Sequence, residues 1–169
     1  MMYEEESMKV LTAERLREVL DYCHDTGVFT WKIRTSNRVK VGDVSGSVDI
    51  KGYIVIGVDG FLHKAHRLAW LHVNGSWPTE QIDHVNGSKS DNRISNLRIA
   101  TNAQNCQNQR SAQSHNKTGL LGVSPKNGKF VAQIRNNGKK QYLGYFPTPE
   151  EAHAAYLEAK REFHSHCTI

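Results

Sequence analysis

The sequence predicts an α+β fold made of short strands and capped helices. Two strand-like runs, residues 81–85 and 97–100, lead into a helix start at Thr101. Asp59-Gly60 and Asn137-Gly138 each separate two further strand-like runs, and both dipeptides favour the two-residue turn of a β-hairpin. These observations predict small antiparallel sheets together with a few helices.

The N-terminal part of the chain predicts one helix followed by several strands. Thr12 can cap a helix whose apolar positions recur at helical spacing, namely Leu16, Val19, Leu20 and Cys23. We expect this helix to end at residues 25–27 and a strand to occupy residues 28–33. The strands of the first hairpin are predicted at residues 53–58 and 61–65.

A second helix is predicted over residues 65–75. Gly75 would end it, because glycine readily adopts the left-handed conformation found just after helices. Its buried face would comprise Leu68, Ala69 and Leu71. We interpret three polar or aromatic side chains of this helix as packing residues rather than metal ligands: His66, Trp70 and His72. Arg67 fits either a phosphate contact or a buried ion pair.

The C-terminal part predicts a sheet of three strands followed by a helix. Strands are predicted at residues 122–124, 129–135 and 139–146. The turn at Asn137-Gly138 sets a register that pairs Phe130 with Tyr145, Ala132 with Leu143, and Ile134 with Gln141. One sheet face is then apolar, and the other is polar and carries Lys129, Val131, Gln133, Arg135, Lys140 and Tyr142. Thr148-Pro149-Glu150-Glu151 forms a capping box with proline at the first helical position.

The composition indicates a polyanionic partner. The chain has 169 residues, a mean hydropathy of −0.60, a formal net charge of +5 and a sequence pI of about 9.2. Between residues 89 and 140 there are ten lysines and arginines against one acidic residue, Asp91. A basic excess of this kind favours nucleic acid as the partner. The alternative is a solvated basic surface with no partner.

The cysteines and the apolar runs exclude several other classes. Cys23, Cys106 and Cys167 are far apart and form no C-x-x-C pair, so we expect neither a zinc site nor a disulfide scaffold. No apolar run reaches the roughly 18 residues of a membrane helix, and no signal peptide is recognisable. We therefore expect a soluble protein of the reducing cytoplasm with no membrane partner.

The stretch IDHVNGSKSDNRISNLRIATNAQN, residues 82–105, carries the chemistry. Asp83 and His84 are adjacent, Asn96 lies in the middle and Asn105 closes the stretch. A carboxylate and an amide oxygen are hard ligands that suit Mg²⁺. A histidine beside them can activate water near neutral pH. An Asp-His pair alone is more often an ordinary polar contact, but the whole combination favours a hydrolytic site for phosphodiesters.

This stretch resembles the HNH, or His-Me finger, endonucleases, in particular the phage and intron homing group with a DH…N…N motif. The run HRLAW, followed by W-P-x-x-x-I-D-H, is also similar to that group. The resemblance implies a ββα-metal nuclease core behind an N-terminal α/β extension. It implies that His84 is the general base and that Asp83 and Asn105 bind Mg²⁺, for which Mn²⁺ could substitute. Asn96 would be structural, tying the loop so that His84 is oriented.

The C-terminal part resembles the DNA-binding domain of plant ethylene-response factors, a module of three strands and a helix. The matching segments are L-G-V-S, G-K-F-V-A-Q-I-R, L-G-Y-F and T-P-E-E-A-H-A-A-Y. The chain departs from the plant pattern at Phe130, where tryptophan is usual, and at Gln133, where glutamate is usual. The resemblance implies that the polar sheet face binds double-stranded DNA.

Basic residues in both parts are candidate DNA contacts. Three arginines near the motif could contact phosphates or be surface charges without a partner: Arg93, Arg98 and Arg110. On the C-terminal sheet the candidates are Lys126, Lys129, Gln133, Arg135, Lys140 and Tyr142. Arg135 or Lys129 could reach guanine acceptors in a major groove, or the face could contact phosphates alone.

Four regions and one function follow from these patterns. The regions are an N-terminal helix and hairpin extension at 1–65, a nuclease core at 66–110, a linker at 111–118 and the ethylene-response-factor-like domain at 119–169. The predicted function is a Mg²⁺-dependent endonuclease of phage or mobile-element origin that nicks or cuts a specific site in double-stranded DNA. The alternative is a non-catalytic DNA-binding regulator with a decayed nuclease core. We expect a monomer, and a dimer stays open.

Overall fold

The computed structural model describes residues 10–164 and 167–168. Contacts between residues divide the chain into two compact units. The first unit comprises Met1–His84 and Ser88–Ile99, and the second comprises Val85–Gly87 and Ala100–Ile169. Among the residues described, no helix is long and apolar enough to cross a membrane.

The first unit is built from short strands and two helices. The helices are α1 (Ala13–Val19) and α2 (Ala65–Asn74), with a 3-10 turn at Ile94–Asn96. The strands are β1 (Leu20–Tyr22), β2 (Phe29–Trp31), β3 (Ser47–Val48), β4 (Ile54–Val58), β5 (Phe61–Lys64), β6 (Gln81–His84) and β7 (Leu97–Ala100). β1 pairs with β2, β6 pairs with β7, and β3, β4 and β5 form a three-stranded antiparallel sheet in that order. The predicted mixture of small sheets and few helices is confirmed, while the ββα-metal arrangement stays a prediction.

The first helix ends earlier than the sequence predicts. Thr12 caps it as expected, with Oγ1 accepting a backbone hydrogen bond at 3.2 Å, but the helix stops at Val19 and Leu20 is already extended. Leu20 and Tyr22 are both buried because alternate residues of β1 face the core. The prediction that Leu20 and Cys23 continue the apolar face of this helix is therefore wrong. Leu20 satisfies the helical and the strand pattern equally well, and Cys23 is exposed.

The hairpin and the helix that follow it agree with the prediction. Asp59 and Gly60 have φ values of 49° and 85°, and a type I′ turn needs positive φ at both central positions. α2 ends at Gly75, which is left-handed with a φ of 75°. The predicted buried face of α2 is confirmed, since its side chains are at most 1% exposed: Leu68, Ala69 and Leu71.

One apolar core joins the N-terminal elements to the strands that carry the candidate motif. The core includes side chains from α1, β1, β2, β4 and α2, among them Leu16, Leu20, Phe29, Ile56, Leu68 and Leu71. Ile82 of β6 and Leu97 of β7 belong to the same core. Burying side chains of this size contributes about 1.5–3 kcal/mol each. The N-terminal elements thus fix β6, and with it the residues that follow Ile82.

The second unit contains one sheet and two helices. Its elements are α3 (Asn102–Gln107), β8 (Val123–Lys126), β9 (Lys129–Asn136), β10 (Lys139–Phe146) and α4 (Pro149–Phe163). The strands form an antiparallel sheet in the order β10, β9, β8, and Thr148 caps α4. The predicted sheet of three strands with a following helix is therefore confirmed. Its core combines both layers: Val123, Ala132, Ile134, Ala152, Tyr156 and Ala159.

A β-bulge in β10 overturns part of the predicted register. Gln141 pairs with Ile134 as expected, but the register shifts after Tyr142. The predicted partners of Ala132 and Phe130 are wrong, because these residues pair with Gly144 and Phe146 instead. Leu143 and Phe146 both pack against the core although they are three positions apart, which a regular strand does not allow. The extra residue also moves Tyr145 away from the apolar face, and its side chain is 45% exposed.

Candidate active site

Strand β6 places Asp83 and His84 inside the first unit, where each residue is 5% exposed. Arg98 lies on β7, the strand that pairs with β6. It donates to Oδ2 of Asp83 from Nε at 2.9 Å and from Nη2 at 2.7 Å. The predicted metal ligand thus forms an ion pair with a residue that the sequence offered as a phosphate contact.

The ring of His84 is oriented by the amide of Asn92. Nε2 of His84 lies 3.4 Å from Oδ1 of Asn92, and Nδ2 of Asn92 donates to the carbonyl of Ser90 at 3.2 Å. Because the amide nitrogen is engaged with that carbonyl, the amide oxygen faces the ring and accepts a hydrogen bond from Nε2. The neutral ring therefore carries its proton on Nε2, and Nδ1 is its basic nitrogen.

A second histidine packs against His84. The rings of His66 and His84 meet edge to face with their centroids 5.0 Å apart. Burial lowers the pKa of His66 to about 3, so this ring is neutral at physiological pH. Burial also lowers the pKa of His84, against the opposing effects of the Asn92 hydrogen bond and the charge of Asp83. Both rings are consequently neutral near pH 7, and a base must be unprotonated to act.

Tyr53 also packs against these histidines, and two lysine ammonium groups lie close to its ring. Its centroid lies 5.3 Å from that of His66 and 6.0 Å from that of His84. Nζ of Lys64 lies 4.0 Å from the Tyr53 centroid, and Nζ of Lys89 lies 5.1 Å from it. Cation–π contacts of this kind hold the two ammonium groups near the candidate base. The arrangement suits an anionic substrate.

The loop between β6 and β7 is tied at two points. Nδ2 of Asn96 donates to the carbonyl of Asp91 at 2.8 Å. The buried hydroxyl of Tyr22 donates to the carbonyl of Asn92 at 2.7 Å. Gly27, in the turn between β1 and β2, approaches so closely that a Cβ there would lie 2.3 Å from the backbone nitrogen of Arg93. The turn between β1 and β2 therefore packs directly on the backbone of the segment that contains Asn92.

Asn105, the other predicted metal ligand, belongs to the second unit and is half-buried on α3. α3 begins as predicted after Thr101, which forms a capping box with Gln104. Among the residues that the structure describes, no group of three or more His, Cys, Asp or Glu side chains could hold a metal ion. Asp83 and Asn105 instead offer hard oxygen donors. A carboxylate oxygen and an amide oxygen are each donors that suit Mg²⁺, which often uses one or two carboxylates and completes its shell with water and substrate phosphate.

The candidate DNA contacts of the second unit lie on the sheet. The basic candidates Lys126, Lys129, Arg135 and Lys140 are all exposed, and Gln133 is half-buried. Tyr142 is 55% exposed and meets Tyr145 in a T-shaped contact with the ring centroids 5.6 Å apart. Nζ of Lys126 lies 5.8 Å from the Tyr145 centroid. The bulge therefore adds a second exposed aromatic ring to the polar face.

Two other predicted DNA contacts are engaged in bonds within their own units. Nη2 of Arg110 donates to the carbonyl of Val85 at 3.1 Å and also bonds to Oγ1 of Thr168. The same carbonyl accepts a hydrogen bond from Thr168 Oγ1 at 2.7 Å. Arg93 donates to both carboxylate oxygens of Asp91, at 2.8 and 2.6 Å, and its side chain is 47% exposed. Arg110 thus has a structural use in the second unit, whereas much of Arg93 faces solvent.

The sequence did not single out the residues that orient His84. Asn92 lies inside the run SDNRISN, and its only signal was an amide close to the motif in sequence. Tyr22 was hidden because the predicted helix extended past it. His66 was interpreted as a packing residue, and it does pack, but against the candidate base itself.

Comparison with known proteins supports a nuclease. Residues 63–107 match the HNH endonuclease family model. The matched segment contains all four motif residues, Asp83, His84, Asn96 and Asn105. No significant match to a solved structure was found.

Two relatives match different parts of the chain. An uncharacterized HNH endonuclease, L560, from Acanthamoeba polyphaga mimivirus is 36% identical over 93 residues, which cover 54% of this chain and 48% of that protein. The ethylene-responsive transcription factor ERF117 from Arabidopsis thaliana is 58% identical over 38 residues, which cover 21% of this chain and 12% of that protein. The chain thus spans about half the length of the viral relative and a small part of the plant one.

Replacing Tyr22 with phenylalanine tests the support of the Asn92 loop. We expect the free energy of unfolding to fall by about 1–3 kcal/mol, because a buried carbonyl loses its donor. Urea unfolding followed by circular dichroism measures this change. Tyr142→Phe is the control, since it removes an exposed hydroxyl and should alter stability by less than about 0.5 kcal/mol. Wild-type stability of Tyr22→Phe would show that the bond does not support the loop.

Proposed function

We propose that this protein is a Mg²⁺-dependent HNH endonuclease that hydrolyses phosphodiester bonds in double-stranded DNA. The observation that carries the proposal is the neutral, buried ring of His84, held by Asn92 beside Asp83 on one strand. The match of residues 63–107 to the HNH endonuclease family supports it. A phage or intron homing-type enzyme that nicks or cuts a specific site is the form we favour.

Each residue of the motif has a distinct task in this proposal. His84 accepts a proton from the attacking water at Nδ1, because Nε2 is committed to Asn92. Asp83 and Asn105 would hold Mg²⁺, which when bound neutralises charge that develops on the phosphate and the leaving oxygen. Asn96 keeps the loop closed through its bond to the Asp91 carbonyl. Lys64 and Lys89 supply positive charge close to the base.

The second unit supplies the proposed DNA-binding surface. We propose that residues 119–169 form a domain like that of the ethylene-response factors, joined through residues 111–118 to a nuclease core at 66–110. Its polar sheet face would contact phosphates and bases through Lys126, Lys129, Gln133, Arg135, Lys140 and Tyr142. Tyr145 joins this set because the bulge exposes it beside Tyr142. The short match to a plant transcription factor supports the assignment.

The second candidate is a DNA-binding regulator without nuclease activity. The match to a transcription factor favours DNA binding but extends over only 38 residues. A regulator has no need for a neutral histidine that is oriented beside a carboxylate. Incubating the full-length protein with supercoiled DNA, in Mg²⁺ or in EDTA, separates the two functions. Metal-dependent nicking identifies the nuclease, and binding without cleavage under both conditions identifies the regulator.

His84→Ala should reduce DNA nicking by about 10²–10⁴-fold, the usual cost of losing a general base. DNA affinity should stay close to wild type, because the proposed docking residues are untouched. Initial rates on supercoiled plasmid, with affinity from fluorescence anisotropy, measure both quantities. His63→Ala is the matched control, since it removes an imidazole from β5 that stacks on Trp77 instead. Near-normal nicking by a folded His84→Ala protein would exclude this residue as the base.

Asp83→Ala should impair metal-dependent nicking more than Asn105→Ala. The carboxylate supplies a full negative charge to the cation, whereas the amide supplies only a dipole. We expect excess Mg²⁺ or Mn²⁺ to restore part of the activity of Asn105→Ala and none of that of Asp83→Ala. Titrating each metal against the nicking rate tests the ranking. Equal defects that no metal concentration relieves would remove Asn105 from the metal site.

The double substitution Lys129→Ala and Lys140→Ala should weaken DNA binding in a salt-dependent way. Each lost phosphate contact reduces the slope of log K against log salt by about 0.9. Tyr145→Ala should lower affinity while leaving the slope unchanged, because a phenol carries no charge to be screened. Anisotropy titrations over a range of salt concentrations measure both effects. Lys40→Ala is the control, because Lys40 is an exposed lysine of the first unit. An unchanged slope in the double variant would show that the sheet face is not the docking surface.

A further inference from the structure

The proposed metal ligand already has a cation beside it. The Asp83 side chain is 6% exposed and that of Arg98 is 26% exposed, and their closest atoms are 2.7 Å apart. A buried carboxylate that loses its partner is strongly destabilised, unlike a carboxylate in a surface ion pair. Arg98 therefore satisfies the charge of Asp83 within the protein itself.

The geometry of this pair differs from that of the neighbouring Arg93–Asp91 pair. Arg93 reaches both oxygens of Asp91, one with Nε and the other with Nη2. Nε and Nη2 of Arg98 both donate to the same oxygen, Oδ2 of Asp83. The arrangement that spans both oxygens is the stronger and more specific of the two.

A divalent cation bound by Asp83 would compete with this guanidinium. Both groups seek the same carboxylate, and two positive charges at contact distance repel each other. We propose that Arg98 is an internal counter-ion that holds Asp83 in the metal-free protein and is displaced when the metal binds. The inference rests on the proposed function, because it takes Asp83 as the metal ligand.

The displaced side chain has a clear use. A guanidinium presents a planar fork of donors that matches phosphate geometry. Arg98 therefore passes from Asp83 to a DNA phosphate when metal and substrate arrive together. Metal binding without DNA stays weak, because no phosphate is present to receive the released arginine.

Metal affinity of the full-length protein without DNA tests the proposal. Mn²⁺ binding is measured by electron paramagnetic resonance in wild type and in Arg98→Gln. We expect the variant to bind Mn²⁺ at least about tenfold more tightly, because the competing charge is gone. Its melting temperature should be lower than that of wild type without metal and should rise further on adding Mn²⁺. Arg98→Met, which keeps an unbranched side chain, serves if the glutamine variant does not fold.

Two controls separate the possible failures. Arg93→Gln removes the same charge from a nearby pair whose arginine is 47% exposed, and it should leave Mn²⁺ affinity unchanged. Asp83→Asn should abolish Mn²⁺ binding, both alone and together with Arg98→Gln. Unchanged or weaker Mn²⁺ affinity in the Arg98 variants overturns the proposal that Arg98 competes with the metal for Asp83. Undiminished binding by Asp83→Asn instead contradicts the metal ligand on which the proposed function relies.

DNA binding gives a readout that a purely structural arginine would not alter. The His84→Ala background keeps cleavage slow during the measurement. Without metal, Arg98 is held by Asp83, so its replacement by glutamine should not change the salt slope of DNA binding. With Mn²⁺ present, the same replacement should reduce the slope by about 0.9, the loss of one phosphate contact. An equal reduction in EDTA and in Mn²⁺ overturns the displacement.

Discussion

The amide of Asn92 is the constraint on which the chemistry of the site depends. Its nitrogen is held by the carbonyl of Ser90, and this leaves its oxygen to fix the proton of His84 on Nε2. The backbone of the same residue is held by Tyr22. The orientation of the candidate base thus depends on Tyr22, a residue of β1 that lies 70 positions before Asn92 in the chain. Strand β1 is therefore physically part of the candidate active site, and it does more than cover the core.

Much of the fold followed from local sequence signals. The turn at Asp59-Gly60, the cap at Thr101 and the glycine that ends α2 all depend on the conformational preferences of a few adjacent residues. The end of α1 did not follow, because Leu20 suits a helix and a strand equally and only its pairing with Trp31 decides. The bulge in β10 was also invisible. It arises because Leu143 and Phe146 both reach the core, and that depends on the helix packed against the sheet.

The candidate site was predictable in part for a similar reason. Asp83 and His84 are recognisable because their residue types and their adjacency suit hydrolysis. His84 and Asn92 are eight positions apart in the sequence, and their contact depends on how the loop between them folds back. The partner of Arg98 could not be predicted from charge alone. An arginine that contacts an anionic substrate and an arginine that stabilises a buried carboxylate cannot be distinguished in a sequence.

Several of the basic residues are bonded within the protein, so fewer are exposed to a partner than the net charge suggests. Arg98 is bonded to Asp83, Arg110 to the Val85 carbonyl and Lys160 to the Gln109 carbonyl. These cations contribute to internal structure, and Lys160 is only 1% exposed. The exposed positive charge of the second unit lies largely on the sheet, beside two tyrosines. Net charge alone overstates how much of this chain is available to a polyanion.

The bulge at Leu143 also affects how related sequences should be compared. A relative that lacks this one residue would have a regular strand, and the positions after it would exchange faces. Aligned without a gap, its buried side chains would then stand in the columns of the exposed ones, Tyr145 among them. A substitution that looks radical in such an alignment could be conservative in three dimensions. Placing the gap at this position restores the correspondence between columns and sheet faces.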